Sequence, residues 1–139
     1  MPKRVQCKRP LEFLVALLGL ACGESTSPQS PPQPTPGDYR FQSSTTGSTL
    51  VLEITAEAIR DTAEMLLATG TQRWVTGVIR RGDGGVNASW SWHLDPSTIG
   101  FPEATIEGCQ ATPEYIEETL DYWITFGQVC IYGSVTEQL

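Results

Sequence analysis

Three hydrophobic patterns occupy different stretches of this chain, and each predicts a different element. The first is an unbroken apolar run, Phe13 to Ala21. The second is short and strand-like: Leu50-Val51-Leu52-Glu53-Ile54, against which Arg40 to Ser44 can pair across a polar Thr46-Gly47-Ser48 turn. The third is helical. Ile59, Ala63, Leu66 and Leu67 recur at the spacing of one helix face, with Thr55 as N-cap, Glu57 in the first turn and Gly70 as the C-cap that ends it.

The second half of the chain repeats the strand and helix patterns. Trp74 to Arg80 and Ser89 to Leu94 are β-rich, and Gly82-Asp83-Gly84-Gly85 between them predicts a hairpin. Trp90, Trp92 and Leu94 alternate with Ser91 and His93, which sorts large apolar groups to one face and polar ones to the other. Asp95-Pro96 ends that strand, and Ala104 to Cys109 reads as a further short one. Thr112-Pro113-Glu114 then supplies a cap, a proline at the first helical position and an acid in the first turn. The second helix runs from Pro113 to about Phe126. Its apolar stripe is Ile116, Leu120, Trp123 and Ile124, while Glu114, Glu117, Glu118 and Asp121 make the other face acidic. Val129 to Tyr132 is the last strand. The expectation is a single small α+β domain over residues 38–139, with two helices on a mainly antiparallel sheet.

The apolar run near the start follows a basic segment containing Lys3, Arg4, Lys8 and Arg9, which is the layout of a secretory signal. It is too short to span a bilayer, for which about 20 apolar residues are needed. Leu18-Gly19-Leu20-Ala21-Cys22 resembles the lipobox of bacterial lipoproteins. That resemblance implies cleavage of residues 1–21, diacylglycerol on the Cys22 thiol and attachment to a membrane of the cell envelope. An ordinary cleaved signal that releases the domain is the alternative. From Gly23 to Gly37 the chain has five prolines and no large apolar residue, so residues 22–37 read as a lipidated cysteine and a semi-rigid spacer on the order of 45 Å long.

Loss of the signal changes the charge. Five arginines, no lysine and fifteen carboxylates remain from Cys22 onward, a formal charge near −10. Such a surface repels phosphate backbones, which argues against nucleic acid and for a basic protein or peptide as partner. Charge that merely keeps the domain soluble is the simpler alternative. With Cys7 in the signal and Cys22 the lipid site, Cys109 and Cys130 are left as one pair. In an oxidising compartment a disulfide is the simplest reading, stabilising by about 3 kcal/mol. A two-cysteine metal site is the rival, although His93, the one histidine, lacks the close spacing of zinc motifs.

Trp90-Ser91-Trp92-His93-Leu94-Asp95-Pro96, followed by Ile99, Phe101, Ile106-Glu107, Cys109, Ala111 and Tyr115-Ile116-Glu117, resembles a family of small exported bacterial domains commonly labelled calmodulin-binding or calmodulin-related. The resemblance covers roughly residues 50–130 and implies at most a protein-binding role, with no catalytic residues. From chemistry alone, His93 with Asp95, Glu103 and Glu107 could supply a general base and an orienting acid, with Ser91 as the nearest nucleophile. The same carboxylates could ligate calcium, but no loop has the dense acidic spacing of a calcium site, and no cofactor or metal is expected. Arg81-Gly82-Asp83 spells an adhesion tripeptide, yet glycine and aspartate are what a hairpin connection needs there. Trp74, Trp90, Trp92 and Trp123 could line a groove or fill the core.

The leading expectation is a non-enzymatic, lipid-anchored envelope module that binds a protein or peptide. Its candidate contacts are Trp90, Trp92, His93, Asp95, Glu114, Glu117, Glu118 and Asp121. A small hydrolase using His93 and a purely structural envelope lipoprotein are the alternatives.

Overall fold

The computed structural model describes residues 37–139; the signal, Cys22 and nearly all of the spacer lie outside the described residues. In chain order the elements are β1 (Asp38–Ser43), β2 (Thr49–Glu53), α1 (Glu57–Thr69), β3 (Arg73–Gly77), β4 (Ile79–Arg81), β5 (Trp92–Leu94), a 3-10 turn (Pro96–Thr98), α2 (Pro113–Glu118), α3 (Leu120–Phe126) and β6 (Val129–Gln138). Four strands form one antiparallel sheet in the order β2-β1-β6-β3, and β4 pairs with β5 in a second, two-stranded sheet. This is the α+β architecture that the patterns predict.

Strand alternation divides the larger sheet into a buried and a solvent-facing side. Tyr39, Phe41, Leu50, Leu52, Val75, Ile131 and Val135 are buried, while Arg40, Gln42, Trp74, Tyr132 and Ser134 occupy the alternate positions and are at least partly exposed. The α1 helix lies on β6 through Ala63 and Leu66, and the Tyr39 hydroxyl donates to Glu64 at 3.2 Å. Each fully buried large apolar side chain of this core is worth about 1.5–3 kcal/mol relative to exposure. Gly133 lets β6 cross β1 closely: a Cβ there would sit 2.0 Å from the Gln42 carbonyl oxygen and 2.8 Å from the Phe41 ring.

Both free edges of the sheet are covered, which removes templates for pairing with another chain. On β2 the Asn87 amide stands in for a strand, accepting from the Val51 N–H at 2.7 Å and donating to the Val51 carbonyl at 2.9 Å. The Trp90 indole N–H donates to the neighbouring Thr49 carbonyl at 2.9 Å. On β3, Thr76 exchanges both backbone bonds with Gly100.

Several local expectations change, two of them at strand ends: β5 begins only at Trp92, leaving Ser89 to Ser91 outside it, and the last strand runs on past Tyr132 to Gln138. Trp74 to Arg80 is two strands and not one, because the Val78 N–H bonds to the Thr98 hydroxyl and its carbonyl accepts from Asp95, which takes the chain off β6 and onto β5. Thr55 does not cap α1; its hydroxyl donates to the Pro96 carbonyl, and Ala56 holds the cap position without a side-chain bond. The second helix is broken into α2 and α3 at Thr119, which leaves the helical region at φ −127° and ψ 36° while its hydroxyl bonds back to the Tyr115 carbonyl. Ala104 to Cys109 is a series of bends and turns and not a strand, with Gly108 at φ +87°. Only Gln110 makes a bridge, parallel to Cys130. The cap of α2 forms as the pattern predicts, Thr112 accepting from the Tyr115 N–H at 3.3 Å. Cys109 and Cys130 are joined by a disulfide with Cα atoms 5.1 Å apart, fastening the segment before α2 to β6 after α3.

Candidate binding surface

The residues that the sequence singles out do not gather into one site. Trp92 is fully buried in the core, where it offers a partner no surface. Trp90 is partly buried beside it, ring centroids 5.9 Å apart, and holds the β2 edge. His93 Nδ1 lies 2.7 Å from the Gly82 carbonyl. A carbonyl only accepts, so Nδ1 carries the proton. Gly84 packs on the ring; at φ +64° and with His93 Cγ 2.7 Å from where a Cβ would stand, this position admits little but glycine.

The general-base arrangement does not assemble. The Ser91 hydroxyl donates to Glu117 at 2.7 Å and its N–H to the other carboxylate oxygen at 3.0 Å, so it serves α2 and not His93. Asp95 accepts from Arg80 at 2.9 and 3.0 Å and from both the N–H and hydroxyl of Ser97. Those bonds, the Ser97 hydroxyl first and then Arg80, hold its carboxyl below the ordinary range. Glu103 pairs with Arg73 at 3.0 Å. Among the described residues no group of three or more His, Cys, Asp or Glu side chains is placed to hold a metal ion.

Most of the acidic face of the second helix is tied to neighbouring segments, although Glu117 and Asp121 stay open to solvent. Glu114 accepts from the Ser48 hydroxyl, Glu117 from Ser91, and Asp121 pairs with Arg81, so three of the four acids fasten the helices to the two hairpins. Burial works against the charge of Glu114, but hydrogen bonds from Ser48, its own backbone, Thr46 and Thr112 outweigh it and hold the carboxyl below the usual range. Glu118 is exposed and makes no such bond among the described residues. The Arg81-Gly82-Asp83 tripeptide is also engaged, Arg81 with Asp121 and the Asp83 carboxylate with the Gly85 N–H at 2.8 Å.

Besides Met65 and Ile106, the large apolar groups that the fold leaves exposed are aromatic. Tyr115, Tyr122 and Phe126 are 49%, 54% and 42% exposed, and all three surround Trp123, with Tyr122 and Phe126 stacked at 5.9 Å. On the solvent face of the sheet Trp74 and Tyr132 are cross-strand neighbours with ring centroids 5.0 Å apart and a tilt of 54°. Tyr115 belongs to both groups: with Trp74, Tyr132, Thr45, Gln110 and Thr112 it lines a groove of about 300 Å³. Tyr115, Tyr122, Phe126 and Tyr132 are absent from the contacts expected from sequence. A signal existed for Tyr132 and Trp74: each alternates with a plain core residue, Ile131 and Val75, and so must face away from the core.

The architecture defines a small α+β domain with one closed core and one aromatic, solvent-facing side. The sequence model of the family described as the BP-74 N-terminal domain matches residues 36–139, and the chain belongs to that family. This is compatible, at the level of the domain, with the resemblance carried by Trp90 to Pro96. No curated protein and no solved structure matches the chain.

Proposed function

We propose that this protein is a lipid-anchored envelope protein whose domain binds a basic protein or peptide and catalyses no reaction. The observation that carries the binding is the coincidence of negative charge with exposed rings. Residues 37–139 hold five arginines and fourteen carboxylates, a formal −9, and Arg40, Arg73, Arg80 and Arg81 are each ion-paired within the fold. The unpaired Glu118 shares a shallow pocket with Tyr122, and Tyr115 and Phe126 flank the same Trp123 as Tyr122, exposed rings of the kind that anchor protein interfaces. A cationic, partly apolar segment complements this surface; a phosphate backbone is repelled by it.

The calmodulin-related label that the resemblance brings fits this chemistry in one direction. Calmodulin targets are basic amphipathic helices. Here α1 has Arg60 as its only base, and α2 and α3 have none. The described residues therefore have the character of a receptor for a basic segment and not of the segment itself.

Membrane attachment rests on Leu18 to Cys22 and the proline-rich spacer. Cys22→Ser is expected to release or misprocess the protein, and unchanged membrane fractionation of that variant would refute the anchor. For binding, the full-length protein is titrated with a labelled basic peptide and with an acidic peptide of equal length. Binding of the basic peptide alone, weakening as salt is raised, is the expected result. Equal affinity for both peptides, or none for either, refutes the reading.

A further inference from the structure

We propose that the groove lined by Trp74, Tyr115 and Tyr132 seats one cationic side chain of the partner, an arginine, against the faces of the three rings. This rests on the reading of a basic partner and assigns the contact that would select it. Cations are drawn to the negative faces of aromatic rings, Trp most strongly, and the attraction grows as water is excluded.

The rings are held in place before any ligand arrives. Trp74 and Tyr132 are fixed by the β3–β6 ladder, and their 54° tilt turns the two faces in different directions. Tyr115 is set by the Thr112 cap on its N–H and by its edge-to-face contact with Trp123 at 6.1 Å. At about 300 Å³ the groove is at the lower end of ligand-site volumes, room for a side chain and not for a length of folded chain.

Charge selects the occupant. The lining contains no charged side chain, the remaining positions being Thr45, Gln110, Ala111 and Thr112. No resident base competes for the ring faces, and no carboxylate has to be desolvated at the contact. Negative charge stands close by: Glu114, two residues on from the groove residue Thr112, is held there by the Ser48 hydroxyl. The field of the whole domain has the same sign. Between the two basic side chains, arginine fits better, because its planar guanidinium stacks on a ring while its edge N–H groups reach hydroxyl and amide oxygens. A compact, strongly hydrated ammonium loses more on entering.

The test uses the full-length protein and one flexible peptide in three forms, with arginine, lysine or the uncharged isostere citrulline at the central position. Affinity is read by calorimetry, and occupancy by tryptophan fluorescence. Arginine is expected to bind more tightly than lysine, and citrulline weakly. Trp74→Leu and Tyr115→Leu are each expected to lose about fivefold or more in affinity for the arginine form. Because these side chains lie on different elements, the second variant keeps the test alive if circular dichroism shows that the first is unfolded. If the arginine peptide binds the wild-type protein and both folded variants equally, the groove assignment falls while the basic-partner reading stands. If no basic peptide binds, both fall. Citrulline equal to arginine, or a proline-rich peptide or a neutral oligosaccharide that binds in the groove more tightly than the arginine form, also overturns the assignment.

Discussion

The side of the domain built from α2, α3 and the β4–β5 hairpin and the solvent face of the four-stranded sheet use their side chains in opposite ways. On the first, conspicuous polar groups are tied to other parts of the same fold, several of them at its surface: Glu114 to Ser48, Glu117 to Ser91, Asp121 to Arg81, and His93 to the Gly82 carbonyl. On the second, Trp74 and Tyr132 pack on each other and line a groove together with Tyr115, Tyr132 exposed and Trp74 half-buried. The lesson is that a charged face in a sequence measures composition and not availability. Acids on short helices that must be fastened to neighbouring loops become structural ties, whereas rings on a sheet face with no covering layer stay free.

The sharpest way to break the contrast is Trp92→Ala. If Trp92 belongs to the fold and not to a binding surface, removing a fully buried indole costs about 3–5 kcal/mol, seen as a lower denaturant midpoint. A variant of near wild-type stability would move Trp92 to the functional side. Next in size, replacing Cys109 and Cys130 together by serine should cost about 3 kcal/mol, with the same loss when the wild-type protein is unfolded under reducing conditions. Asn87→Ala follows. It leaves the Val51 N–H and carbonyl without their partner and should cost about 1–3 kcal/mol by chemical denaturation.

Acid titration tests the ties of the first region. The carboxyls of Glu114 and Asp95 are held below their ordinary values in the folded protein, so the stability that they add is present above the unfolded carboxyl range and is lost as pH falls through the lowered folded values. Glu114→Gln should flatten that acid limb, and an unchanged pH–stability profile would count against Glu114 as a tie. Smallest of all are Trp74→Leu and Tyr115→Leu, each expected to cost about 0.5–1.5 kcal/mol, the worth of the one aromatic contact it loses. A large loss by thermal melting would show that these rings hold the fold together.

Much of the architecture was legible along the chain because it rests on local periodicity. The β1–β2 hairpin, α1 with its Gly70 cap, the β4–β5 pairing, the Thr112 cap and the Cys109–Cys130 bond all follow from neighbouring residues or from elimination. The departures arise where a distant group captures a local one. Thr55 was the better cap for α1 by residue type, but Pro96 takes its hydroxyl. The helical stripe from Ile116 to Ile124 runs through Thr119 without a break in pattern, and the division shows only in the backbone, where Thr119 leaves the helical region at φ −127° and ψ 36°.

The same boundary separates what the sequence by itself determined from what only the tertiary structure decided. Strand alternation, helix spacing, the half-cystine pair and the excess of carboxylates are properties of the chain, and they specify an acidic α+β domain. Which acids are tied and which rings are open depends on partners 26 to 66 positions away, such as Ser91 for Glu117 and Ser48 for Glu114. A hydrogen bond across that separation leaves no periodic trace. It exists only once the core has brought the two segments together, so the candidate surface on Trp74, Tyr115 and Tyr132 became visible only in the fold.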